Sequence, residues 1–161
     1  MNQSPDDTSQ SQTPVSSWRV PASAKAKNAV QRAVTALLDE LAPERVLTRN
    51  ARLPGAVEQH RTPTGCVLQA PTAAVSVSWF ASTNDDLTLG ELHVVVWRGV
   101  VTRVGTPKRR EGATLVSETV LQPNDRPLDG IVWKAADGTE YDTITLAALC
   151  TKLLDEQVIL G

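Results

Sequence analysis

The chain has 161 residues, 41% of them hydrophobic, and a formal net charge of -2. That length suits one ordinary domain with a core of its own, and so small a charge excludes a global field drawing the molecule to nucleic acid or an anionic membrane. No window reaches the ~18 apolar residues of a membrane span, and the polar opening MNQSPDDTSQSQTPVSS lacks the basic and apolar segments of a secretory leader, so a soluble cytoplasmic protein is expected.

Residues 1–17 are Ser, Gln, Thr, Asp and Pro with almost nothing to bury, and are read as a disordered tail; residues 18–161 are read as a single domain. Pro21 suits a first helical position. From there Ala22, Ala26, Ala29, Val30, Ala33, Val34, Leu37, Leu38 and Leu41 recur at three and four residues, with Lys25, Lys27, Gln31, Arg32 and Asp39 on the other side, until Pro43 stops the pattern. Two short edge strands are expected near Val46–Thr48 and Ala56–Arg61, where Arg45, Arg49, Arg52 and Arg61 would discourage unwanted pairing. Cys66–Gln69 forms a further short strand.

Two stretches carry the architecture. Ala73–Phe80 and Leu89–Trp97 each alternate apolar with polar residues, and Thr83-Asn84-Asp85-Asp86 between them is turn chemistry, so the pair reads as a hairpin. A loop centred between Asn84 and Asp85 sets Val77 opposite Leu92 and Val75 opposite Val94, with both apolar stripes on one face. The same register puts Ser76, Ser78, Glu91, His93, Val95 and Trp97 on the second face. Gly99 then bends or bulges the strand, which is expected to continue over Val100–Val104. A basic loop follows, a strand over Thr114–Leu121, and a loop over Gln122–Pro127. Asp137-Gly138 marks a hairpin between Ile131–Ala136 and Thr139–Asp142. Asp142 or Thr143 caps a last, strongly apolar helix through Ile144, Leu146, Ala147, Leu149 and Leu154. With no helix between strands, the fold class is α+β: a curved, mostly antiparallel sheet of about six to eight strands, with the N-terminal and C-terminal helices packed on one face.

Few residues point to chemistry. Ser76, Glu91 and His93 on one rigid face are the residue types of nucleophilic or acid-base catalysis, although a half-solvated sheet shows the same alternation. Arg98, Arg103, Lys108, Arg109 and Arg110 lie in a stretch without acids, and from Glu111 onward acids outnumber bases nine to three. Arginine forks suit carboxylate or phosphate. Nucleic acid is disfavoured, because stacking aromatics are few and no recognition motif is present. Cys66 and Cys150 belong to no CxxC pair, only His60 and His93 are available, and no phosphate-binding or nucleophile-elbow motif occurs, so no metal or cofactor is expected. Trp79, Trp97 and Trp133, on three expected strands, belong either to core or to the wall of a ligand cavity. Trp97 with Val95, on the face away from the helices, requires a cover. The primary expectation is therefore a non-catalytic domain of protein association, as a homodimer or assembly subunit, using Val95, Trp97 and the basic loop; the alternative is a small-molecule binding or small enzyme domain with a cavity between sheet and helices.

Overall fold

The computed structural model describes residues 14–49, 57–82, 89–102, 106–107, 113–126 and 130–160. Helix α1 (Pro14–Glu40) and the short helix α2 (Pro43–Arg49) precede strands β1 (Glu58–Thr62), β2 (Gly65–Gln69), β3 (Ala73–Ala81) and β4 (Gly90–Arg98). A two-stranded ribbon of β5 (Val101–Thr102) and β6 (Thr106–Pro107) follows, then β7 (Thr114–Arg126), β8 (Gly130–Ala135), β9 (Glu140–Tyr141) and helix α3 (Thr143–Leu160). The sheet is a seven-stranded antiparallel meander, β1-β2-β3-β4-β7-β8-β9, from which β5 and β6 stand apart. Both long helices cover one face, as the α+β reading expects.

That face is closed by large side chains. Leu37 and Leu38 from α1, Leu41 just after it, Leu146, Cys150 and Leu154 from α3, and Leu68, Val75, Val77, Leu92, Val94, Leu121 and Trp133 from the sheet belong to one buried cluster. Trp79 and Trp133 meet edge to face within this layer, ring centroids 5.8 Å apart, so two of the three strand tryptophans fill the space between sheet and helices. The helix of α3 starts as expected: the Asp142 carboxylate accepts from the Thr145 N–H at 2.8 Å, and the Thr145 hydroxyl accepts in return from the Asp142 N–H at 2.9 Å. These bonds favour the ionised Asp142, whose pKa is lowered.

Several expectations need correction. The first helix starts at Pro14, which takes the first helical position, and Pro21 lies within it; residues 14–17 of the expected tail are thus helical, and residues 1–13 lie outside the described ones. Val46–Thr48 is helical, not a strand. Pro43 stops α1 but also opens α2, with Glu44 in the first turn and Arg49 in the last, as the helix dipole favours, and with both Arg45 and Arg49 bound to Glu40. The central hairpin pairs Val77 with Val94 and Val75 with Val96, two residues further along than expected. A slip of two preserves the faces, so Val77 and Leu92 still share the helix-covered side. The close approach at Gly90 fixes this register, because its φ of +139° and a Cβ position 2.2 Å from the Phe80 carbonyl oxygen exclude any side chain.

After Gly99, at φ +99°, Val101–Thr102 does not extend β4 but pairs with Thr106–Pro107 apart from the main sheet; Arg103 and Val104 of the expected strand lie outside the described residues. The chain returns at Ala113, whose Cα lies 3.3 Å from where a Gly99 Cβ would stand. Strand β7 then runs through the expected loop to Arg126. Its second half pairs with β8, and beyond Leu121 it has no β4 partner, the one-sided situation in which a strand accepts Pro123. The Asp137-Gly138 hairpin is as expected, with Gly138 at φ +93° and the Ala135 N–H donating to the Thr139 carbonyl at 2.9 Å.

Candidate interaction surface

Strand alternation alone decides what the outer face of the sheet can offer. On β4, Glu91, His93, Val95 and Trp97 point away from the helices; on β3 their neighbours are Phe80, Ser78, Ser76 and Ala74, and on β7 they are Val120, Glu118 and Leu115. This face divides into a closed end and an open end.

The closed end centres on Trp97. Val67, Ala74, Val95, Trp97 and Val101 form a second buried cluster, with Ala113 packed against it. Trp97 is 9% exposed, and its indole N–H donates to Ser76 Oγ at 3.0 Å. The cover that Trp97 requires thus comes from the chain's own excursion between Gly99 and Ala113. Gln69 fastens it. Its Nε2 donates to the carbonyls of Ala70, Ala73 and Gly99 at 2.6, 3.1 and 3.1 Å, three acceptors for two hydrogens, while its Oε1 accepts from the Val101 N–H at 3.1 Å.

The open end centres on His93. Its Nδ1 lies 2.7 Å from Glu118 Oε2 and its Nε2 lies 3.0 Å from Glu91 Oε1, so the imidazole is held between two carboxylates. Partial burial disfavours the imidazolium, but the hydrogen bonds and charges of Glu118 and Glu91 outweigh it, and the His93 pKa is raised above its ordinary value. When protonated, both ring nitrogens donate. Phe80 meets the ring edge to face, centroids 4.9 Å apart. Phe80 itself stands in solvent on β3 at 57% exposure; Leu115 at 51% and Val116 at 42% are exposed on β7 near the other end of the face, where Leu115 pairs with Trp97. Val116 is the extra residue of a bulge, where pairing passes from Val96–Ser117 to Trp97–Leu115.

The expected site residues therefore separate. Glu91 and His93 come together, and Glu118 joins them. Strand β7 returns to β4 only after the β5–β6 excursion, so no local pattern in the sequence could have paired Glu118 with His93. Ser76 is not His93's partner, because its hydroxyl is taken by Trp97 and both ring nitrogens are taken by carboxylates; no nucleophile–base pair forms among these three. Val95 and Trp97 are on the expected face but buried by the chain itself rather than presented to a partner. Arg98 is exposed, yet its alternation on β4 matches Leu92, Val94 and Val96, which sets it on the opposite face from Trp97. Arg103, Lys108, Arg109 and Arg110 lie outside the described residues.

The remaining chemistry is quiet. Cys66 and Cys150 are both buried and reduced. Burial pushes the Cys66 thiol up to about 11, and burial together with the neighbouring Cys66 raises Cys150 further, so neither is a ready thiolate nucleophile. Among the described residues no group of three His, Cys, Asp or Glu side chains is placed to hold a metal ion, since Glu91 and Glu118 face opposite nitrogens of His93 rather than converge. Among the same residues no helix is long and apolar enough to cross a membrane. Comparison with known proteins finds no match: no family model, no curated protein and no solved structure is significantly similar to this chain.

Proposed function

We propose that this chain is a cytoplasmic, non-catalytic domain of protein association, and that it engages its partner through the exposed apolar residues along the sheet, Phe80 at the open end of the outer face and Leu115 and Val116 on β7. One observation carries the reading. A seven-stranded sheet whose helices cover one face leaves Phe80 in solvent on β3 beside an imidazole fixed by two carboxylates, and leaves Leu115 and Val116 in solvent further along β7. Exposed apolar side chains gain by leaving water, at roughly 25 cal/mol per Å² removed. The carboxylates beside Phe80 supply polar contacts. Two further features favour association over the ligand-cavity alternative: the layer between sheet and helices is filled by Trp79, Trp133 and the leucines, and the serine that catalysis would need is occupied by an indole.

The test is a photo-crosslinking residue placed singly at Phe80, at Leu115 and, as control, at the exposed Arg32 on α1, in the full chain in its host cell. Discrete adducts from the first two positions and none from Arg32 are expected. Equal, diffuse labelling at all three positions would end the proposal.

A further inference from the structure

Helix α3 inverts the usual polarity in its second half. It buries Thr151, Asp155 and Gln157, while Ile159 and Leu160 are the most exposed large apolar side chains among the described residues. Helix α1 shows the ordinary pattern, with Lys25, Lys27, Asn28, Gln31 and Arg32 in solvent. Among the exposed residues of α3 only Thr145, Lys152 and Glu156 are polar. A helix whose outward side is mostly apolar gains by lying against a further surface.

The outward residues of this half follow an order that reads alike from either end. Ala148, Lys152, Glu156, Ile159 and Leu160 are exposed and Leu149 is half-buried. At about 100° per residue all six fall in one stripe along the helix. They are symmetric about Leu154: Lys152 and Glu156 flank it at equal distance, and the apolar pairs Ala148-Leu149 and Ile159-Leu160 lie at equal distance beyond them. A face of this kind is complementary to itself when reversed.

We propose that α3 packs antiparallel against α3 of a second copy of this chain, about a two-fold axis level with Leu154. Ala148 and Leu149 of each copy then meet Ile159 and Leu160 of the other, and Lys152 of each meets Glu156 of the other. Charge selects both the occupant and its direction. A parallel pair would set Lys152 beside Lys152 and Glu156 beside Glu156, and within one helix a lysine four residues ahead of a glutamate is the weaker order for pairing. Across the two-fold axis every charge is matched. Ala148 lets the two helix axes approach closely. Helix α3 packs on β3, β4 and α1 with its other sides, so the stripe faces away from the sheet. This self-association is therefore independent of the partner surface proposed above, which includes the opposite face of the sheet. The overlap from Ala148 to Leu160 is about 20 Å long and one helix wide, the size of a weak interface with a micromolar dissociation constant.

The test is sedimentation equilibrium of the full chain with charges exchanged across the axis. Wild type is expected to dimerise. Lys152→Glu sets acid against acid in both directions and Glu156→Lys sets base against base, so the dissociation constant of each variant alone should rise roughly tenfold. Mixed in equal amounts the two variants should recover the wild-type affinity as a heterodimer, because every cation again meets an anion. Recovery on mixing also shows that neither variant has lost its fold. Ile159→Lys, at an exposed position, should weaken the dimer and have no partner variant that restores it. A wild-type chain that stays monomeric at every concentration overturns the proposal. So does a dimer unchanged by the single exchanges, or one whose loss mixing does not repair. A dimer broken by Phe80→Lys but kept by Ile159→Lys overturns it as well, and moves the contact to the sheet.

Discussion

The two faces of the sheet are built from similar alternating strands, yet they are completed in different ways. Two long helices bring their own leucines to the inner face, and among the described residues the largest fully buried side chains, Trp133 and the leucines, lie there. On the outer face, an excursion between Gly99 and Ala113 supplies Val101 and Ala113 as cover for one end, and leaves the other end to Phe80, His93 and two glutamates. Alternation thus decides which residues share a face, while the connections decide whether that face is core or surface.

Substitution on each face should separate the two. Leu92 is fully buried between helices and sheet, so Leu92→Ala is expected to cost about 3 kcal/mol, by lost transfer energy and the cavity left behind. Trp97→Ala removes a larger side chain from a much smaller cluster, where the excursion can close in or fray, and about 2 kcal/mol is expected. Urea titrations of both variants check the order. A cost for Trp97→Ala equal to or above that of Leu92→Ala would show that the outer cluster is as much a core as the inner one.

Much of this division was legible in the residues, and the illegible part has a physical cause. Asp137-Gly138 names its hairpin because only a few residue pairs accept positive φ at a tight turn, and Asp142 names its helix because its carboxylate satisfies N–H groups that the helix cannot. The faces of β3 and β4 followed from alternation even though their register did not, since a shift of two residues leaves every side chain on its side. Pro43 was ambiguous: the same ring ends one helix and begins the next. The site was hidden more deeply. Trp97 and Val95 looked open because their cover lies beyond Gly99, and Glu118 looked like an ordinary strand residue because its partner sits 25 positions earlier.

Gln69 fastens the excursion to the sheet, and breaking it should loosen the outer face without the inner. Gln69→Ala leaves the Val101 N–H and the Gly99 carbonyl without the side-chain partners they now have, a loss of about 1 to 2 kcal/mol concentrated at the base of the excursion. Hydrogen exchange is expected to accelerate at Val101 while amides of Val75 and Val94 keep their protection. Uniform acceleration across the sheet would mean that the excursion and the inner core unfold together.

The smallest expected effect is the pH response of the open end. His93 has a pKa raised in the folded chain by Glu118 and Glu91, so its proton is bound more tightly folded than unfolded. A group of this kind adds stability that is fully present below its unfolded value, near 6.5, and is lost as pH rises through the higher folded value. His93→Gln removes the titration but keeps a polar side chain against the carboxylates. Wild type should exceed His93→Gln in urea midpoint at about pH 5 and approach it at about pH 8.5, by a margin kept small because the ring is partly in water and Glu91 and Glu118 are half exposed. A difference that grows with pH would reverse the sign and show that the carboxylates are not what holds the ring.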